Sequence, residues 1–247
     1  MDLTSPEFWL AVGQIIMIDI LLGGDNAVVI ALACRKLPPA QRKLGILWGT
    51  AGAVLLRVIL IMFALTLLKL PFLKLVGALL LLWIGIKLLV PEDEDEHAGI
   101  QSSDKLWAAV KTVIVADLVM SVDNVIAIAG AAHGAGGDHQ LPLVIFGLLV
   151  SIPIIVWGSQ LVLGLMSRFP VIITVGGMLL GWIAGTMAVA DPALAGYVPY
   201  EEAEGATSLP AVKAAFHYGA GVVGALFVLA VGKYFGSRSK PADYPVQ

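Results

Sequence analysis

Seven runs of apolar residues dominate the sequence, and each is long enough for a helix that crosses a lipid bilayer. A helix needs about 20 apolar residues to cross the hydrocarbon, and an open strand cannot cross it because lipid offers no partners to its backbone groups. We therefore predict an all-α, polytopic membrane protein that forms a single transmembrane domain over residues 1–247. The seven runs are residues 8–34, 44–68, 71–90, 106–132, 141–165, 171–190 and 212–234.

The composition supports this prediction, since 59% of the residues are hydrophobic and only 13% are charged. Soluble domains carry about 25% charged residues, so this chain has too few charges to cover a surface in water. The formal net charge of −3 gives no indication of a nucleic-acid partner. The single cysteine, Cys34, excludes an internal disulfide and a cysteine-rich metal site.

Lysine and arginine are concentrated on one side of the predicted bundle. Loops that face the cytoplasm carry an excess of these residues. We therefore predict a multi-pass protein of the bacterial inner (plasma) membrane, with its N-terminus outside and its C-terminus in the cytoplasm. The residues on the predicted cytoplasmic side are Arg35, Lys36, Arg42, Lys43, Lys87, Lys105, Lys111, Arg168, Lys233, Arg238 and Lys240. The opposite side has only Lys69, Lys74 and Lys213.

The sequence repeats itself after three predicted helices. Residues 18–28 and 116–126 both contain Asp, five further residues and then Asp-Asn, and residues 76–85 resemble 175–184. Because three is odd, the second unit enters the membrane from the opposite side, and transporters with such inverted repeats bind their substrate near the midplane. We predict a first three-helix repeat at 8–90, an acidic cytoplasmic linker at 91–105, a second repeat at 106–190, a seventh helix at 211–234 and a cytoplasmic tail at 235–247.

Each repeat places two carboxylates in its first helix. These residues are Asp19 and Asp25 in the first repeat and Asp117 and Asp123 in the second. One Asp in the middle of a membrane helix costs about 2.5–3.5 kcal/mol, so four at matching positions indicate a function. Arg57 is the one basic residue deep in another predicted helix. It cannot neutralise four carboxylates, and we predict that it pairs with one of them and replaces the cation when the site is empty.

The repeated motif supplies only oxygen ligands. With the amides of Asn26 and Asn124, the four carboxylates form a hard set that suits Mg, Ca and Mn, whereas no His or Cys is present for zinc or copper. The predicted metal ligands are Asp19, Asp25, Asn26, Asp117, Asp123 and Asn124. Both Mn²⁺ and Ca²⁺ fit this set. The surplus negative charge can be balanced by a second ion or by protons on the carboxylates. Adjacent carboxylates share protons readily, and this second possibility predicts proton antiport.

Neighbouring residues are predicted to support the site. Gln14, about one turn before Asp19, is expected to orient a ligand, and Ser121 is expected either to coordinate the ion or to donate a hydrogen bond. In a regular helix Asp25 points about 120° away from Asp19. We predict that Gly23 and Gly24 unwind the helix there, with close helix packing as the alternative reason for this glycine pair.

At the two Asp-x₅-Asp-Asn motifs and at residues 77–85, the sequence resembles the TerC family of integral membrane proteins, in particular its YjbE-like branch. The resemblance covers nearly the whole chain. It implies the LysE-like transporter fold and, as for several members, efflux of manganese. It also implies that the Asp and Asn residues of both motifs line the ion site. The predicted export direction rests on this resemblance alone.

Two other classes of function, an intramembrane enzyme and a membrane scaffold, fit the sequence less well than a transporter. An intramembrane metal-dependent enzyme is disfavoured because the paired carboxylates come with no distinct nucleophile, so we predict no enzymatic activity and no prosthetic group. A non-transporting membrane scaffold or metallation partner remains the alternative, although it would not need carboxylates in an inverted repeat. The predicted partners are the lipid bilayer and the transported divalent ion, and homo-oligomerisation is left open.

Overall fold

The computed structural model of the chain describes residues 6–67, 70–90, 102–134, 140–201 and 211–238. Within its helices the side chains of residues 6–8, 11, 15, 18–24, 64–67, 102, 123–134, 140–144 and 238 lie outside the described part. The described residues form seven α-helices and two short strands. The helices are α1 (Pro6–Cys34), α2 (Pro39–Leu67), α3 (Leu73–Leu89), α4 (Ser102–Gly134), α5 (Gln140–Arg168), α6 (Val171–Val189) and α7 (Ala214–Arg238).

Each of the seven predicted runs forms most of one of these helices, and several helix ends differ from the ends of the runs by a few residues. Helix α4 begins at Ser102, inside the predicted linker 91–105, and α7 ends at Arg238, inside the predicted tail 235–247. The length of an apolar run in the sequence indicates only the part of a helix that lipid can surround. At α4 the helix extends past that part, and Asp104 in its first turn is favoured by the positive end of the helix dipole.

Among the described residues, four helices are long and apolar enough to cross a membrane. They are Pro39–Phe63, Ile145–Arg168, Val171–Val189 and Ala214–Ser237. Helix α3 has 17 residues and a length of about 26 Å, slightly less than the hydrocarbon thickness of about 30 Å. The prediction of membrane helices is thus confirmed for α2, α5, α6 and α7, and it stays a prediction for α1, α3 and α4.

Apolar side chains cover the outer surface as well as the interior. Trp48, Leu55, Leu79 and Trp157 are all more than half exposed. A helix that is apolar on every side is typical of a membrane bundle. The main core lies between α1, α3, α4 and α6, with one methionine from α5, and consists of alanine, valine, leucine, isoleucine and methionine side chains. A second cluster joins the predicted cytoplasmic ends of α1, α2 and α4 to α5.

The helices pack in pairs that place α1 and α4 at the centre. Helix α1 packs on α5, α2 packs on α4, and α3 packs on α6, while α1 also contacts α4. Helix α7 packs mainly on α6. The two helices that carry the repeated carboxylates are therefore neighbours, and each is flanked by one further helix.

A buried carboxylate on the predicted outer side joins the ends of α6 and α3. Asp191 is completely inaccessible, and its oxygens accept hydrogen bonds from the backbone N–H groups of Phe72 at 2.9 Å, Leu75 at 3.0 Å and Ala193 at 2.8 Å. Phe72 has a left-handed backbone with φ of 68°. Such a conformation strains a bulky residue, and the bond from Phe72 to Asp191 helps to hold it. Beyond Asp191, Tyr200–Glu201 and Ala211–Val212 form an antiparallel pair of strands.

We expect Asp191→Ala to destabilise the protein by about 2–3 kcal/mol, because two partly buried N–H groups at the start of α3 lose their acceptor. Burial raises the pKa of Asp191, but the backbone hydrogen bonds outweigh this effect and hold the pKa below its ordinary value. A lowered pKa stabilises the fold at pH values above the ordinary carboxyl pKa of about 4, and this contribution is lost as the pH falls through the lowered value.

Thermal unfolding in detergent, followed between pH 7 and pH 3, checks this prediction. The wild type should lose its advantage over Asp191→Asn as the medium becomes acidic, since the Asn variant has no carboxylate to protonate. Asp104→Asn, which changes an exposed Asp, is the matched control. A constant difference in unfolding temperature between wild type and Asp191→Asn at every pH would contradict the role of the Asp191 carboxylate as the hydrogen-bond acceptor at the start of α3.

Candidate metal-ion site

The second repeat's first carboxylate forms a buried ion pair with an arginine from α2. Asp117, on α4, is 6% exposed, and Arg57, on α2, is 2% exposed. The Nη2 of Arg57 lies 2.5 Å from Oδ1 of Asp117. Two unit charges this deep in a bundle must be paired, because moving one of them alone out of water costs several kcal/mol. The predicted pairing of Arg57 with a motif carboxylate is confirmed.

Ser121 completes a three-membered network with this pair. Its hydroxyl donates to Oδ2 of Asp117 at 3.1 Å, and it accepts a hydrogen bond from Nε of Arg57 at 3.0 Å. Ser121 follows Asp117 by four residues, so the two side chains lie on one face of α4. In this structure Ser121 therefore holds the carboxylate in place by hydrogen bonding, which is one of its two predicted roles.

The first repeat contributes Asp25 and Asn26, on the facing helix α1. Asp25 is half-buried, and its Oδ1 accepts a hydrogen bond from the backbone N–H of Asn26 at 2.8 Å. Helix α1 packs directly on α4, which carries Asp117. The two repeats thus contribute motif residues to neighbouring helices.

The side chain of Asn26 is buried without a hydrogen-bond partner. It is 3% exposed, and within the described part of the chain neither its Oδ1 nor its Nδ2 has a partner. Leaving a buried amide unpaired costs about 1–3 kcal/mol, and such groups in native proteins call for an explanation. An ion that accepts the amide oxygen as a ligand would supply one.

Thr50, on α2, was not predicted from the sequence. It is 1% exposed, its hydroxyl has no partner among the described residues, and it precedes Arg57 by seven residues on the same face of α2. The seven-residue spacing from the one deep arginine is the sequence signal that would have found it.

Other predicted residues fall outside the described side chains or away from the site. The side chains of Asp19, Asp123 and Asn124 lie outside the described residues, although their positions on α1 and α4 are helical. No three side chains of His, Cys, Asp or Glu lie together among those that are described. The site as described therefore consists of Asp25, Asn26, Asp117, Ser121 and Arg57.

One prediction about the surroundings is wrong, and another stays a prediction. Gln14 is exposed, and in a regular helix it points about 140° away from Asp19, whose side chain lies outside the described residues, so its supporting role stays a prediction. The expected unwinding at Gly23 and Gly24 is wrong, because α1 is helical from Pro6 to Cys34. Glycine permits a break in a helix but does not impose one, and packing of α1 against α4 and α5 favours the regular conformation.

A cavity of about 360 Å³ lies nearer the predicted cytoplasmic ends of α1, α3 and α4. Thr112, in its lining, precedes Asp117 by five residues, about 8 Å along α4. Its charged lining is Lys36, Lys87, Lys105 and Asp104. The excess of positive charge would repel a divalent cation, so we do not assign this cavity to the path of the ion.

Comparison with known sequences places the chain in a family. The pattern of the "Integral membrane protein TerC family" matches residues 4–240. The chain belongs to the TerC family. Membrane protein YjbE of Bacillus subtilis is 44% identical over 76% of this chain and 83% of its own length. This TerC protein is therefore an integral, multi-pass membrane protein, as the sequence predicted.

More distant relatives of this TerC protein include inner-membrane proteins. Membrane protein YceF of Bacillus subtilis is 30% identical over 75% of this chain and 73% of its own length. Inner membrane protein YgdQ of Escherichia coli K12 is 25% identical over 68% of this chain and 75% of its own length. No solved structure matches the chain.

Proposed function

We propose that this protein is a secondary transporter that exports divalent metal ions, most of all Mn²⁺, in exchange for protons. The ion binds between α1 and α4, to the carboxylates and amides of the two Asp-x₅-Asp-Asn motifs. One observation carries the proposal: the buried carboxylate of Asp117 and the unpartnered buried amide of Asn26 come from matching motifs on adjacent helices.

The charge balance of the site supports a cation as its ligand. Arg57 supplies one positive charge against Asp25 and Asp117, and Asp19 and Asp123 add two further carboxylates in the same two helices. A divalent ion removes most of the remaining negative charge, and a proton on one carboxylate removes the rest. Metal and proton then compete for the same oxygens, which is the basis of the proposed antiport.

The packing of the helices supports seven spans and an inverted repeat. The buried residues of α3 include Gly77, Ala78, Leu81, Gly85 and Leu88. The residues 99 positions later on α6, Gly176, Gly177, Leu180, Ala184 and Met187, are also buried. The contact of α1 with α5 likewise corresponds to that of α4 with α2. Exchange of the two halves therefore preserves the arrangement, as expected for alternating access.

The oxygen-only ligand set favours Mn²⁺ or Ca²⁺ over zinc and copper. Within that pair, the preference for Mn²⁺ and the export direction rest on the efflux that the family resemblance implies. A scaffold without transport activity would gain nothing from buried charge near the centre of the bundle, because that charge lowers stability.

Ion uptake by everted membrane vesicles tests the proposal. Export from the cell becomes uptake in such vesicles, so we expect accumulation of Mn²⁺ when the vesicle interior is acidic, and collapse of the gradient with an uncoupler should stop it. Parallel assays with Ca²⁺ decide between the two ions. If neither ion accumulates above vesicles without the protein, transport is excluded. If accumulation ignores the pH gradient, only the antiport is excluded.

A further inference from the structure

Among the described residues, the two halves of the bundle differ in charge at one buried position beside the site. The shift of 98 residues that superimposes Asp19 on Asp117 places Gly49 of α2 on Gly147 of α5, and it places Arg57 on Ile155. Both residues are buried, and each lies on the helix that packs beside a motif helix. Only the first half thus brings a cation to the site.

The position itself does not require an arginine for packing. Ile155 occupies the corresponding place in α5 as part of an apolar cluster that also contains Ile30 and Val113. A helix in this environment therefore accepts an aliphatic side chain, which needs no polar partner. The presence of Arg57 in α2 calls for another reason, and two of its contacts are with Asp117 and Ser121 of the proposed ion site.

The contacts of Arg57 occupy the carboxylate that a metal ion would need. Its Nη2 is 2.5 Å from Oδ1 of Asp117, and Ser121 donates to the other oxygen, Oδ2. A metal ion bound by Asp117 would sit about 2.0–2.6 Å from a carboxylate oxygen, in the space that the guanidinium now fills. The two cations would also repel each other across the same few ångströms. Arg57 and the metal ion therefore cannot both contact this carboxylate oxygen of Asp117 at the same time.

We propose that Arg57 is an internal substitute for the transported ion, an inference that rests on the proposed function. It neutralises Asp117 while the carrier is empty, moves aside when the metal binds, and returns to Asp117 as the metal leaves. Arginine suits this task because its long side chain reaches alternative positions and its charge does not change with pH. The empty carrier can then change conformation without an unpaired Asp117 in the bundle.

Arg57→Ile tests the substitution, because it copies the residue that the other half carries at this position. Without the competing guanidinium, we expect Mn²⁺ to bind at least about tenfold more tightly in lipid nanodiscs, in the range of measured couplings between close charge pairs. Release should slow in parallel, so the maximal transport rate in proteoliposomes falls about tenfold while the half-saturating Mn²⁺ concentration also falls. Arg57→Lys, which keeps the positive charge, should retain most of the wild-type transport rate. Arg168→Ile, which removes a positive charge far along α5, should bind Mn²⁺ like the wild type.

A double variant separates this role from a structural one. If Arg57 acts mainly through Asp117, then Arg57→Ile should strengthen Mn²⁺ binding by a much smaller factor in an Asp117→Asn background than in the wild type, because only the direct repulsion between the guanidinium and the ion is left to remove. Weaker Mn²⁺ binding by folded Arg57→Ile, or unchanged binding, would overturn the inference while the wild type still transports. If Arg57→Ile does not fold, Arg57→Lys provides the test. A fall in both the Mn²⁺ affinity and the transport rate of that variant would overturn the inference. If the wild type binds and transports no divalent ion, the proposed function itself fails.

Discussion

The double variant Asp25→Asn/Asp123→Asn will leave the manganese content of a manganese-sensitive host at the level of cells without the protein, whereas the wild type will lower it. Each substitution preserves the size of the side chain but removes a charged ligand from one motif. Loss of a group that merely supports a metal ligand costs about 10–100-fold in affinity or activity. Loss of one ligand in each repeat should therefore reduce transport by at least about a hundredfold.

Metal content is measured by mass spectrometry on cells with equal amounts of each protein in the membrane. Asp104→Asn, an exposed carboxylate at the start of α4, is the matched control and should lower manganese like the wild type. A double variant that still lowers manganese would exclude the carboxylates as ligands. If the wild type lowers the calcium content of the cells instead, the proposed site stands and the transported ion is Ca²⁺ rather than Mn²⁺. A scaffold would keep its cellular effect in the double variant, because it needs no bound ion.

The seven helices were predictable because lipid imposes a length and a composition on every helix that it surrounds. The pairing of Arg57 with one of the motif carboxylates was predictable for a related reason, since a buried arginine must find a negative partner, but only the structure identifies that partner as Asp117. Each of these predictions uses one segment of the sequence and one general free-energy cost. Neither requires knowledge of which helices are neighbours.

The features that were missed depend on contacts between distant segments. Asp191 accepts bonds from Phe72 and Leu75, more than 100 residues earlier in the chain, and no local pattern identifies it as a cap for α3. Thr50 became notable only when its hydroxyl proved to have no described partner. The error at Gly23 and Gly24 has the opposite origin, because a local preference was given more weight than the packing that keeps α1 regular.

The crossing of α6 and α7 depends on glycines whose replacement will have a large effect on stability. A Cβ added at Gly224 would collide with the backbone carbonyl of Gly181, and one added at Gly185 would collide with that of Ala220. Small residues four apart let two helices approach closely in a membrane. Because backbone cannot move aside as a flexible side chain can, we expect Gly224→Ala to cost about 3 kcal/mol, the upper end for an added methyl group.

Gly219→Ala provides the matched control on the same helix, since an added Cβ there meets no atom within 4 Å. Alanine is the better helix former by up to about 1 kcal/mol, so this control should be neutral or slightly stabilising. Thermal unfolding in detergent, followed by the loss of the monodisperse peak in size-exclusion chromatography, compares the two. Equal unfolding temperatures would mean that α7 is only loosely attached to α6. A selective loss in Gly224→Ala would show that the helix outside the repeat is an integral part of the bundle, because its docking is needed to hold α6 against α3.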